Sequence, residues 1–282
     1  FAPWWAEMVV NAVREALDMT RDEPIRIANL ADKAAWTTMF LDEFARPGTY
    51  STCGDWASKL NIEFVGTWQH SQVATDVSAE LTAIRAKDPH IIGLLHASPV
   101  GVVATKQKAE LGIPSLWGLW GCTEAERGTF WDATGGACNY LIDGCGFLAP
   151  APLGAKAVSF YSKFLEKYKM DPMYTACTYD AIYMLKEAIE KAGTLDADAL
   201  IPEIEKNKFS GAAGVYIWGE RHEPKFGPGG ISQCMKQWQN GKLEVIGPDG
   251  SPSELSPEWE GFAIEGVKPL IIPPEFIEHF KK

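Results

Sequence analysis

The chain has 282 residues, 46% hydrophobic and 22% charged, with 26 basic against 37 acidic side chains and a net charge of −11. That length holds two modest domains or one large one of ordinary globular composition. No apolar run approaches the roughly 20 residues of a membrane helix, and no Lys/Arg cluster offers a surface to phosphates. No direct membrane span and no nucleic acid partner are therefore expected, and the acidic excess reads as solvated surface.

Residues 6–19 read as an amphipathic helix with Val9, Val13 and Leu17 on one face. Ile25 to Leu30 is a short strand, Thr37 to Phe44 a helix, and Arg46 to Gly54 a loop. Ile62 to Gly66 is a second strand. Asp76 then caps a helix carrying Val77, Leu81 and Ile84 on one side. His90 to Leu95 is almost continuously apolar, the mark of a strand buried on both faces of a parallel sheet. A helix at 100–111, a strand over Ser115 to Leu119 and a weaker one over Ala137 to Ile142 follow. Strands alternating with helices at this spacing predict an open parallel α/β sheet with right-handed crossovers.

From Pro152 the pattern changes to three successive helices. The first carries Val158, Tyr161, Leu165 and Tyr168 on one side, and the second has Ile182, Leu185 and Ile189 at helical spacing. Gly193 stands at the C-cap of the second, and Asp196 or Asp198 can start the third, at about 198–207. A single strand is expected at Gly214 to Trp218. Asn240-Gly241 between Ile231–Trp238 and Leu243–Ile246 signals a hairpin. Gly227 to Gly230 lacks the Lys-Ser/Thr ending of a phosphate loop and reads as a turn. The proline-rich tail from Gly247 is expected to run extended over the surface.

The stretch from Tyr174 to Leu200, beginning Tyr-Thr-Ala-Cys-Thr-Tyr-Asp-Ala, closely resembles the tyrosine–aspartate–alanine helix of branched-chain amino-acid-binding proteins. Those are type I periplasmic solute receptors of ABC importers, and the resemblance extends from about Phe1 to Pro248. It implies two α/β lobes joined by a multi-strand hinge around a ligand cleft, and an exported protein of the periplasm or cell exterior. Its partners would be a small-molecule ligand and a membrane permease. On this resemblance residues 1–150 are lobe two with the first crossover at the start. Residues 151–230 are the remaining part of lobe one, and 231–282 return strands to lobe two followed by the tail. Most of lobe one is expected to be missing from the sequence. With no initiator Met and no signal peptide at Phe1-Ala-Pro-Trp-Trp5, the chain reads as mature or trimmed.

In open α/β sheets ligands lie beyond the carboxyl ends of the strands, which selects Asp32 to Trp36, His96 to Pro99 and Trp120 to Cys122. The resemblance points to nearly the same residues. Trp36 matches an aromatic that covers the ligand, and Ala97 with Ser98 matches a contact position. Trp120 stands where amino-acid-binding members carry an acid for the ligand ammonium. The expected ligand-binding residues are thus Trp36, His96, Ala97, Ser98 and Trp120. An indole cannot act as a counter-ion but stacks on rings and cations. A hydrophobic or aromatic solute, such as an aromatic carboxylate, is therefore favoured over a zwitterionic amino acid.

Catalytic, metal and cofactor residues are not expected. His96 and Ser98 lie in no Gly-x-Ser-x-Gly elbow, which disfavours a hydrolase. The five histidines lack His-x-x-x-His spacing and the six cysteines lack any Cys-x-x-Cys pair. Spacing alone leaves open whether Cys138 bridges Cys145 or both are buried thiols. Asp180 reads as solvated or as a local hydrogen-bond partner. The main rival function is a ligand sensor of the same fold.

Overall fold

A computed structural model describes residues 3–38, 56–144, 156–170, 172–173, 175–220, 222–231 and 234–281. In the first half α1 (Pro3–Leu17) leads to β1 (Ile25–Asp32), α2 (Trp56–Lys59) and β2 (Ile62–His70). Then come α3 (Ser78–Arg85), β3 (Ile91–His96), α4 (Val100–Glu110), β4 (Leu116–Cys122), α5 (Phe130–Thr134) and β5 (Ile142–Asp143). The second half has α6 (Ala157–Tyr168), α7 (Thr175–Ala192), α8 (Ala197–Lys206), β6 (Phe209–Ser210) and β7 (Val215–Tyr216). It ends with β8 (Met235–Gln239), β9 (Lys242–Gly247) and α9 (Pro274–Phe280).

Seven strands form one sheet in the order β2-β1-β3-β4-β5-β8-β9. The first five pair in parallel, and β8 and β9 add antiparallel. Successive side chains of a strand point to opposite faces, so apolar strands feed two cores at once. Ile25, Ile27, Ile91 and Leu95 meet Val9, Val10 and Val13 of α1 on one face. Ala28, Leu30, Ile92 and Leu94 meet Leu81 and Ile84 of α3 and Val100 and Ala104 of α4 on the other. The open α/β sheet expected from alternating patterns is the observed fold.

Several boundaries differ from expectation, each for a local reason. β2 continues past Gly66 to His70. β4 runs to Cys122 because one extra residue is accommodated in a bulge. Gly93 pairs with Gly118 but Leu95 with Gly121, and Leu119 there has φ +79°. The strand expected over Ala137 to Ile142 shrinks to Ile142–Asp143. The single strand over Gly214 to Trp218 is instead the short antiparallel pair β6–β7. The tail is not uniformly extended: it forms α9 and a 3₁₀ turn at Pro257–Trp259, and it sends Trp259 and Phe276 into the core. Helix begins at residues 35–38, whereas the rest of the helix expected to Phe44 and the loop at 46–54 fall outside the described residues.

Asp76 lies one residue before the N-cap of α3, which is Val77, and accepts from Ser78 N at 2.9 Å; the other two helix caps stand where expected. Gly193 (φ +66°) ends α7 and donates its N–H to Ile189 O at 2.8 Å. Asp196 caps α8 by accepting from Asp198 N at 3.1 Å. Asn240 and Gly241, both with positive φ, turn the β8–β9 hairpin. Cys138 is a buried free thiol, and Cys145 lies outside the described residues.

Candidate functional site

The last residues of four adjacent parallel strands are His70 (β2), Asp32 (β1), His96 (β3) and Cys122 (β4). Register places Asp32 opposite His70 and His96 opposite Cys122, giving a polar row across the carboxyl edge of an otherwise apolar sheet. All four are buried. A buried carboxylate survives only when donors surround it. Asp32 meets this requirement through the β3–α4 loop. Its Oδ2 accepts from the Ala97 N–H at 2.8 Å and its Oδ1 from the Ser98 hydroxyl at 2.6 Å.

The histidines complete the cluster. His70 Nδ1 lies 3.0 Å from Ser71 O and therefore carries a proton, donating it to that carbonyl. His70 Nε2 and His96 Nε2 share a hydrogen bond of 2.8 Å. Burial, with the His70 charge beside it, lowers the His96 imidazole below its ordinary range, and Asp32 only partly opposes this. In the neutral pair His96 Nε2–H donates to His70 Nε2. His96 Nδ1 is then a buried atom with no hydrogen-bond partner.

The expected ligand contacts fall in three environments. Ala97 and Ser98 are brought together with His96, but the Ala97 N–H and Ser98 hydroxyl are already engaged with Asp32. Trp36, 37% exposed, stands on the first turn after β1. That turn is tied down by Thr37, whose hydroxyl donates to Asp32 O and to Ala34 O, each at 2.8 Å.

Trp120 is only 2% exposed and lies within β4, on the face opposite the polar row, in the core with α1. The bulge at Leu119 is the reason, because it turns Leu119 and Trp120 to the same face. The Trp120 indole donates to Asn29 Oδ1 at 2.7 Å and meets Trp56 edge-on at 5.9 Å. It lies over Gly93, where an added Cβ would come within 2.0 Å of Nε1. A strict alternation of side chains along β4 hides this placement.

Asp180 differs from expectation more sharply. It is fully buried, with Oδ1 accepting from Ala212 N at 2.7 Å and Oδ2 from Ala213 N at 2.8 Å and Tyr216 OH at 3.2 Å. It is neither solvated nor a local partner, for it ties α7 to a turn some thirty residues downstream. Sequence reasoning also missed His70, because β2 was ended too early. The signal that identifies it is the polar residue closing each apolar strand.

In an open parallel α/β sheet ligands bind beyond the carboxyl ends of the strands, which is where this polar edge lies. The chain matches the family model described as periplasmic binding protein over residues 43–236, and it belongs to that family. Solved structures of the same fold include a leucine binding protein from Thermotoga maritima, 20% identical with a TM-score of 0.63, covering 88% of this chain and 65% of that one. An ABC transporter solute-binding protein from R. palustris in complex with benzoate is 16% identical, with a TM-score of 0.64 over 84% of this chain and 60% of that one. An ABC transporter substrate-binding protein from Desulfitobacterium hafniense in complex with Leu is 19% identical, with a TM-score of 0.58 over 87% of this chain and 65% of that one. The chain thus spans 60–65% of the length of these proteins. No curated protein matches it. Among the described residues, no helix is long and apolar enough to cross a membrane.

Proposed function

We propose that the chain belongs to a solute-binding protein of an ABC importer, acting outside the cytoplasm and capturing a small hydrophobic or aromatic molecule, such as an aromatic carboxylate, by closure of two lobes. The carrying observation is Trp36, an exposed indole beside a strand-end edge whose described carboxylates are already engaged, Asp32 by Ala97 and Ser98 and Asp143 by the Cys122 N–H and Lys236. Among the described residues, an edge so arranged offers an aromatic face without an available counter-ion for an ammonium group. Neighbours of the same fold were solved with benzoate and with leucine, which sets the two ligand classes to compare. In this reading Trp36 covers the solute and the His96–Ser98 loop borders it. Trp120 acts from behind by holding β3 and β4 in place. The division into lobe two (1–150), the remaining part of lobe one (151–230), and return strands with tail (231–282) belongs to the same proposal.

Closure gives each lobe part of the contact set, so solute shifts the open–closed equilibrium by its preference for the closed form. The closed form is then what a membrane permease recognises. No acid–base pair is required, because no bond changes.

A thermal-shift screen of aromatic acids, aliphatic acids, amides and amino acids tests the ligand class, since a ligand that binds only the native state raises Tm. Aromatic acids should stabilise most, and Trp36→Ala should remove most of that shift. Stabilisation by branched-chain amino acids alone would overturn the choice.

A further inference from the structure

We propose that Asp32, His70 and His96 form a divalent transition-metal site, with two imidazole nitrogens and one carboxylate oxygen as ligands and Zn²⁺ as the best-fitting ion. The three side chains come from the ends of three neighbouring strands, are all buried, and offer ligand atoms within 4.8 Å of one another. Imidazole and carboxylate together suit Zn²⁺, whereas Ca²⁺ and Mg²⁺ prefer oxygen alone.

Two of the three ligands, His70 and Asp32, are already oriented. His70 gives its Nδ1 proton to the Ser71 carbonyl, which leaves Nε2 as its lone-pair nitrogen and fixes the ring. Asp32 is held by the Ala97 N–H and the Ser98 hydroxyl, one donor to each oxygen, and each oxygen keeps a second lone pair for a cation. Its nearest ion-pair partner is the His70 Nδ1 edge, 3.9 Å away.

The movement required of the two rings is small. The two Nε2 atoms are 2.8 Å apart around a shared proton, and two nitrogens on a tetrahedral zinc stand about 3.3 Å apart. The ion takes the proton's place. His96 Nε2 gives up its hydrogen, and Nδ1, the buried nitrogen without a partner, takes it up, so the ring changes tautomer and stays neutral. Cys122 closes the neighbouring strand but is not in the cluster.

The experiment is metal titration of the full 282-residue chain, stripped with chelator, followed by dialysis and elemental analysis. One Zn²⁺ per chain is expected. His70→Gln and His96→Gln should each weaken binding by at least about 100-fold. His90→Gln, a buried histidine outside the cluster, should leave it unchanged. X-ray absorption at the zinc edge of the unmutated protein should find two imidazoles and oxygen at about 2.0 Å with no sulfur, a readout that survives if a variant fails to fold. Absence of stoichiometric metal, sulfur ligation, or undiminished binding by both folded histidine variants would overturn the site. None of these outcomes bears on solute capture, which the thermal-shift screen tests separately.

Discussion

The sheet and the three-helix segment bury their apolar residues by different rules. β3 is enclosed along its whole length, with Ile92 and Leu94 in one core and Ile91 and Leu95 in the other. α7 instead buries a narrow stripe of Ala176, Asp180, Met184 and Ala188, while Ile182 is 63% exposed and Leu185 is also exposed. The helical face with the stronger apolar pattern is thus the open one. The reason is Asp180, whose carboxylate must reach the amides of Ala212 and Ala213 and so sets the rotation of the helix. A buried hydrogen-bonded charge outranks an apolar stripe because leaving it unpaired costs more than exposing an isoleucine. Val158, Leu165 and Ile201 extend the exposed apolar surface over α6 and α8.

Substitutions can sharpen or break this contrast. Leu94→Ala, in the fully enclosed strand, should cost about 2–5 kcal/mol in denaturant unfolding. A cost below 1 kcal/mol would mean that the sheet is looser than its burial indicates. Asp180→Ala leaves two buried amides without acceptors and should cost about 2–4 kcal/mol. Loss of helix signal before the main transition would place that tie between α7 and the β6–β7 turn. An unchanged midpoint would break the argument that this carboxylate orients α7.

A third test concerns the sheet edge at His90, whose Nδ1 accepts from Arg26 N at 3.0 Å. Burial, joined by the Arg26 charge, lowers this imidazole to about 4. The unfolded chain takes up a proton near pH 6.5 that the folded chain refuses. This contribution is therefore fully present above about pH 6.5 and is lost as the pH falls toward about 4. Its size is on the order of 3 kcal/mol at most. His90→Asn should flatten the fall in Tm between about pH 7 and about pH 5, and an unaltered slope would exclude the effect. The smallest change belongs to Ile182→Ala, which should stay within about 0.5 kcal/mol because the side chain is already exposed.

Much of the fold was legible because strand and helix periodicities are local. The run from His90 to Leu95 announced burial on both faces, Gly193 and Asp196 marked helix ends, and Asn240-Gly241 marked a hairpin. The candidate site was legible only in part. The loops after β1 and β3 were identified, yet His70 was missed through a strand ended four residues short, and Trp120 was placed at a strand end rather than inside one. Linear histidine spacing also carried no hint of the Asp32–His70–His96 cluster. Ligand spacing within a helix repeats every few residues, but parallel strands bring together residues a whole crossover apart.

The amino-acid sequence by itself determined the order of strands and helices, the caps and turns, and the family to which the chain belongs, since these depend on neighbours along the chain. Tertiary structure alone decided which face of α7 is buried, which way Trp120 points after the β4 bulge, and which polar side chains meet at the sheet edge. Those outcomes depend on register and on the need to satisfy buried charge across elements distant in sequence, and no local pattern encodes either.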